Sequence, residues 1–346
     1  MPFASLARPS RRALPWRGRA LLATLAFAAG PCFAVGPTLL NVSYDVAREF
    51  YKQINPAFQR AWKQKTGEDV KIDQSHGGSS KQARAVLDGL EADVVTMNQS
   101  SDIDVLATRG KLIPEDWARR LPNNSAPTTS VTVILVRKGN PKAIRDWADL
   151  ARPGVSVVVP NPKLTGNGRY TYVAAWGSVL KAGGTPAQAK EQVRRMFANV
   201  PVFDGGGRAA TTTFAQRSIG DVLCTFESEV NLIKTEFGDS FEVVYPKSTI
   251  LAENPVAVID KVVDKKGTRK EAEAYLQFLW SDQAQEIAAQ HQLRPRSPAL
   301  LAKYAKDFPK IETFTIDELF GGWTKAQKEH FDDGGTFDQI IAAAKK

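Results

Sequence analysis

Along this chain, short apolar runs alternate with longer stretches in which apolar residues return at helical spacing. Residues 39–43 read as a strand. Over 45–66, Phe50, Ile54, Phe58, Ala61 and Trp62 fall near one face, which predicts a helix that Pro56 should kink or interrupt and Gly67 should end. A strand at 70–73, a Gly/Ser loop at 75–80, a helix at 81–90 carrying Ala83, Val86, Leu87 and Leu90, and a strand at 92–96 complete a first β/α set. Residues 121–127 are loop-rich and lead into a strand at 130–137.

A second set runs from 155 to 245. It holds a strand near 155–160, a loop at 161–168, helices near 172–181 and 186–197, a short strand near 200–203 and a second glycine loop at 205–207. Residues 251–259 read as a second crossing strand, and from 268 onward the chain reads as mainly helical. This alternation predicts an α/β fold with two lobes joined by at least two strands. The cleft should be lined by loops at the C-terminal ends of the strands.

Charge changes the picture less than it first suggests. The 346 residues hold 46 Lys and Arg against 37 Asp and Glu, a formal +9 that invites a nucleic-acid partner. Residues 1–34 contain five of the arginines and no acid, then the apolar run ALLATLAFAA and the small residues Cys32 and Ala34 before a cut after Ala34. That is the build of a secretory signal peptide, and the run is too short to span a membrane. What remains carries +4 and one cysteine, Cys224, in an apolar run where an inert strand residue is expected. The protein is therefore expected in the periplasm, without a nucleic-acid partner. Its core alone holds it together.

Three segments place Gly and hydroxyl residues where a strand hands over to a helix: 75–81 with Gly78 and Ser79, 161–169 with Thr165, Gly166 and Asn167, and 204–213 with Gly207 and Arg208. Unpaired N–H groups and the positive end of the helix dipole point into such loops, so together they favour an anion site. The phosphate-loop and dinucleotide patterns both fail, because the required glycines are absent. Only three histidines occur, and neither a metal cluster nor a nucleophile elbow is present. No cofactor is expected. An exported hydrolase using Ser79 with His76 stays as the competing enzyme reading; otherwise the chain reads as a non-enzyme.

The segments LLNVSYDVAREFY, QSHGGSSKQARAVLDGLEADVVT, NPKLTGNGRYTYVAAWG, GGRAATTTFAQRSIGDVL, ILAENPVAVIDK and FTIDELFGGWTKAQKEHFDDGGTFDQI resemble the periplasmic sulfate- and thiosulfate-binding proteins of ABC importers. The resemblance covers nearly all of the chain after the leader. It implies a type II periplasmic-binding-protein (Venus-flytrap) fold in which a sulfate or thiosulfate dianion is enclosed between lobes and delivered to a membrane ABC permease by a monomer. The lobes are expected at 35–120 with 250–346 and at 121–249. The resemblance places ligand contacts at Asp45, Ser79, Thr165, Gly166, Asn167, Gly207 and Phe226, with Gly78 and Arg208 in support. Thr165 stands where the family usually has Ser, and Asn167 where it often has Gly. Phe226 stands where sulfate-type members carry a Trp whose indole donates to the anion. This brings the chain closer to the thiosulfate-binding branch without excluding sulfate. Another tetrahedral oxyanion, molybdate or phosphate, stays as an alternative ligand.

Overall fold

The structure, a computed structural model, describes residues 36–344; the leader at 1–34 lies outside the described residues. Two sheets organise them. The smaller runs in the order Val256–Val258, Val94–Thr96, Thr38–Tyr44, Lys71–Gly77, with the last three parallel and the first antiparallel. The larger runs Glu312–Phe314, Ser248–Asn254, Thr128–Arg137, Val222–Phe226, Val157–Pro160, Phe203–Asp204. Phe241–Val244 and Arg294–Pro295 also pair with the long Thr128–Arg137 strand. Val157–Pro160 and Val222–Phe226 are covered on both faces, which explains why their sequences are apolar runs rather than alternations.

Three backbone segments meet where the chain crosses between the sheets, since Thr128 lies opposite both Asn254 and Pro295. The crossing read as one strand at 251–259 is two. Pro255 has no N–H to give a ladder, so Ser248–Asn254 stays in the larger sheet and Val256–Val258 joins the smaller. Its carbonyl still accepts from the Met97 N–H at 2.9 Å, which fastens the crossing to the smaller sheet.

The helix Arg48–Thr66 runs unbroken through Pro56 and ends at Gly67 in the left-handed region. Phe50, Ile54, Phe58 and Trp62 bury one face against the smaller sheet, while Pro56 is exposed. The carbonyl that loses its donor at Pro56 therefore faces water, and burial of the opposite face holds the helix together. Among the described residues no helix is long and apolar enough to cross a membrane.

The C-terminal part divides in a way the lobe boundaries above do not foresee. Helices Arg269–Phe278 and Asp282–Gln290 pack Tyr275, Leu276 and Ala288 into the core of the smaller sheet. Glu312–Phe314 instead adds parallel to Ser248–Asn254, and Phe320, Trp323, Phe331, Phe337 and Ile340 bury against Tyr170, Tyr172 and Trp176. Residues 312–340 thus sit on the larger sheet, not with the smaller one. Gly177 makes this possible, because a Cβ there would lie 2.3 Å from the Phe314 ring.

Candidate functional site

Each of the three glycine-bearing segments is a strand end, a short connection and a helix start. The strand Lys71–Gly77 is followed by Gly78 alone and then by the helix Ser79–Leu87, so the expected loop at 75–80 shrinks to one residue. Ser79 is buried, and its Oγ accepts from the Asn98 N–H at 3.5 Å. Gln82, one turn on, ties this start to the first strand by donating to the Ser43 carbonyl at 3.2 Å, and to its own preceding strand by donating to Ser75 Oγ at 3.0 Å.

The second start is built mostly from its own residues. The Asn161 carbonyl accepts from the N–H groups of Leu164 and Thr165, both at 3.0 Å, and its side chain accepts from Lys163 at 2.9 Å. Thr165 is the N-cap. Its Oγ1 accepts from the Gly168 N–H at 3.0 Å and donates to the Asn161 carbonyl at 2.9 Å. The helix Gly166–Lys181 therefore begins six residues before the 172 start read from apolar spacing. Glycines hid that first turn from the pattern. Gly168 is needed here because a Cβ would stand 2.3 Å from the Pro160 carbonyl oxygen. The third start follows Phe203–Asp204, with Gly206 as N-cap of the helix Gly207–Thr211.

These starts, at Ser79, Gly166 and Gly207 and so 41 to 128 residues apart in the chain, come together. A Cβ on Gly78 would lie 3.4 Å from the Gly205 carbonyl oxygen and 3.6 Å from that of Leu164. A Cβ on Gly166 would lie 2.1 Å from Asn98 Oδ1. One on Gly207 would meet Asn167 Nδ2 and Val46 Cγ1, each at 3.1 Å, with Asp45 Oδ1 at 3.9 Å. Gly78, Ser79, Asn98 and Asp45 belong to the smaller-sheet side; Thr165, Gly166, Asn167 and Gly207 belong to the larger. The first N–H groups of a helix have no intrahelical acceptor, so three sets of donors and three positive dipole ends face one small volume. Asn98 and Asn167 are buried there too, each with a side-chain carbonyl that has no hydrogen-bond partner among the described residues.

Charges sit around the rim. Asp45 Oδ2 accepts from the Arg208 N–H at 3.4 Å; burial pushes this carboxyl above its ordinary range and that N–H acts against it. The Arg208 guanidinium lies 3.8 Å from Glu229 and 3.9 Å from Glu236. Glu229 is wholly enclosed. Burial pushes its carboxyl up to about 8, Arg208 opposes the rise, and Asp45 and Glu236 add to it. Arg169 is almost entirely buried. It holds the Pro162 carbonyl at 3.1 Å on its own side and reaches across to Ser80 Oγ at 3.0 Å and Asp102 at 3.5 Å.

Phe226 is buried at the end of its strand and packs edge-to-face on Tyr170, with ring centroids 5.5 Å apart. Cys224, in the same strand, is wholly buried and its thiol is pushed far up by burial. His76 does not hydrogen-bond Ser79. Its Nε2 contacts Gln74 Oε1, and burial, with Arg48 nearby, lowers its pKa to about 4. The hydrolase reading therefore lacks the pair it needs.

Sequence reasoning missed Asn98 and the Arg169–Asp102 pair. Asp102 stands in the first turn of the helix Ser101–Thr108, where an acid reads as a helix-dipole partner. Nothing local marks its partner 67 residues away.

Comparison with known proteins shows the family and the fold. A family model described as bacterial extracellular solute-binding protein matches residues 40–294. A thiosulfate-binding protein of Pseudomonas aeruginosa is 63% identical over 314 residues, 90% of this chain and 94% of that protein. A sulfate-binding protein of Escherichia coli is 55% identical over 319 residues, 92% of this chain and 97% of that protein. The solved structure of the sulfate-binding protein SubI from Mycobacterium tuberculosis superposes with a TM-score of 0.77 at 33% identity, covering 86% of this chain and all of that one.

Proposed function

The chain belongs to the bacterial extracellular solute-binding protein family, and from that premise we propose that it captures sulfate or thiosulfate between its lobes and delivers the anion to a membrane ABC permease. The observation that carries this reading is the convergence of three helix N-termini, where a Cβ on Gly78 would lie within 4 Å of the Gly205 and Leu164 carbonyl oxygens and one on Gly207 within 4 Å of Asn167 Nδ2. Sulfate and thiosulfate are dianions without a proton at neutral pH, so they only accept hydrogen bonds. A site of backbone N–H groups and hydroxyls suits them without a directly paired Lys or Arg.

The backbone of Gly166, Asn167 and Gly207 and the Ser79 hydroxyl are the proposed donors. This role for Ser79 is supported by its hydroxyl hydrogen, which has no acceptor among the described residues, whereas that of Thr165 is engaged with the Asn161 carbonyl. Asp45 organises the site through the Arg208 N–H, and Gly78 lets the first helix approach the opposite lobe. Closure of the two lobes, bridged by Arg169, Ser80 and Asp102, would enclose the anion and form the surface that the permease reads.

Phe226 cannot donate a hydrogen bond, and an apolar ring suits the softer terminal sulfur of thiosulfate. The high identity to a thiosulfate-binding protein supports the same preference. Calorimetric titration with thiosulfate, sulfate, molybdate and phosphate tests the whole reading. Thiosulfate and sulfate should bind and phosphate should not; phosphate binding as tightly as either would overturn it. Replacing Phe226 by Trp should move the preference toward sulfate. Export to the periplasm through cleavage after Ala34 is tested by the N-terminal mass of the mature protein, and the monomer by its sedimentation with and without anion.

A further inference from the structure

We infer that the terminal segment at 331–338 is a working part of the anion site, with Lys163 as the positioning residue through which it holds the 161–168 loop in its donating geometry. This rests on reading that loop as anion-binding.

The Lys163 ammonium lies two residues before Thr165. It donates to the Phe331 carbonyl at 2.9 Å, to Asp338 Oδ2 at 3.0 Å and to Asp333 Oδ1 at 3.2 Å. An ammonium has three donors, and all three go to the terminal segment. Asp338 Oδ2 also accepts from the Gly334 N–H at 2.8 Å, so the turn that receives Lys163 is organised by the same carboxylate. The segment is anchored on its other side as well. Tyr172, on the helix that begins at Gly166, shares a 2.8 Å hydrogen bond between its hydroxyl and His330 Nδ1. Phe331 places its ring 5.9 Å from the guanidinium of Arg169, the residue that crosses to the other lobe.

The loop needs such a tie because it has little apolar anchorage. Leu164, its one large aliphatic side chain, is 53% exposed. What fixes the loop is polar: the Asn161 turn, the Thr165 cap, Arg169 on the Pro162 carbonyl, and Lys163. The first three join the loop to itself or to its own helix, the Asn161 N–H on the Asp204 carbonyl at 2.8 Å and Asn167 Nδ2 on Thr225 Oγ1 at 3.4 Å tie its two ends to the larger sheet, and Lys163 ties its middle to the terminal segment. The terminal segment does not depend on Lys163 in return, because Phe331, Phe337 and Ile340 bury it in the core. Loss of the tie should therefore loosen the donors more than it loosens the fold.

The test compares the unaltered exported protein with Lys163→Met, Lys163→Arg and Lys181→Met, titrated with sodium thiosulfate and sodium sulfate. Dissociation rates and the melting temperature of the ligand-free protein are read alongside. Lys181 makes an exposed ion pair with Glu312 at 3.5 Å, which also links the same helix to the terminal region but away from the loop. Lys163→Met should weaken both anions about tenfold, mainly through faster dissociation, with little change in ligand-free melting. Lys163→Arg should recover part of the loss, and Lys181→Met should bind like the unaltered protein. Adding Asp338→Asn to Lys163→Met should cost no further affinity. Should Lys163→Met not fold, Asp333→Asn with Asp338→Asn carries the same expectation.

Affinity of Lys163→Met within about twofold of the unaltered protein would overturn the inference. So would a loss that merely tracks lower ligand-free melting and is not recovered by Arg. Absence of binding by the unaltered protein itself would instead overturn the anion-site reading on which this one rests.

Discussion

The helix starts at Ser79 and at Thr165 face each other across the cleft and look alike in sequence, yet they are built differently. At Thr165 the hydroxyl caps its own helix, accepting from Gly168 and donating to Asn161. At Ser79 the hydroxyl does no such work; the helix is capped by Gly78 without a side-chain bond, and among the described residues Ser79 Oγ is approached only by the Asn98 N–H. One hydroxyl is spent on local structure and the other is available to a ligand. A serine or threonine at a helix start is therefore not by itself a ligand contact, and the hydrogen bonds it already makes decide which it is.

The comparison can be strained from its largest expected effect downward. Arg169→Met should be the most damaging, since it removes the cross-lobe pair and leaves Asp102 buried without a cation. Breaking a buried ion pair costs about 3–5 kcal/mol. Calorimetry should show anion affinity reduced at least a hundredfold, and an unchanged affinity would mean that the two sides are not coupled through this residue. Gly168→Ala should come next. Its methyl would meet backbone atoms of 160–162 at 2.3–2.8 Å, so the capped loop must shift, at a cost of about 1–3 kcal/mol in stability as well as lost binding.

The direct contrast is smaller. Ser79→Ala should lower affinity by about 1–3 kcal/mol with melting unchanged, whereas Thr165→Val should lower melting by about 1 kcal/mol of lost capping and lower affinity through the loosened loop. If both substitutions alter melting equally, the division of labour between the hydroxyls is wrong.

A last effect is pH-dependent and acts on stability rather than on anion affinity. The Glu229 carboxyl rises from 4.5 to about 8 in the folded protein because it is buried. A carboxyl whose pKa is raised by folding favours the folded state while protonated, and that contribution is lost as pH rises from the lower value through the higher. The unaltered protein should therefore lose melting temperature between about pH 4.5 and 8 relative to Glu229→Gln, by a few degrees. Parallel melting curves for the two across that range would show that Glu229 stays ionised.

Much of the fold was legible because it is written locally. Strand runs such as 157–160 and 222–226 are apolar but for Thr225, and the buried face of Arg48–Thr66 repeats at helical spacing. The reading failed where local and tertiary terms compete. Pro56 should break a helix, but its solvent-facing position and the packing of Phe50, Ile54, Phe58 and Trp62 outweigh it. The 251–259 run is apolar enough for one strand, but the missing N–H of Pro255 divides it between two sheets. Apolar spacing began the 166 helix too late, because Gly166, Asn167 and Gly168 carry no apolar signal.

By itself the sequence determined the parts: three helix starts rich in glycine and hydroxyls, the caps that close them, and the strands that carry them. Each depends on interactions within a few residues, where backbone geometry and capping chemistry leave few choices. The tertiary structure alone decided which parts meet. Gly166 against Asn98, Arg169 against Asp102, and Lys163 against 331–338 are pairings across 67 to 175 residues. No periodicity encodes them, because they follow from how two sheets pack and where the terminal segment is buried.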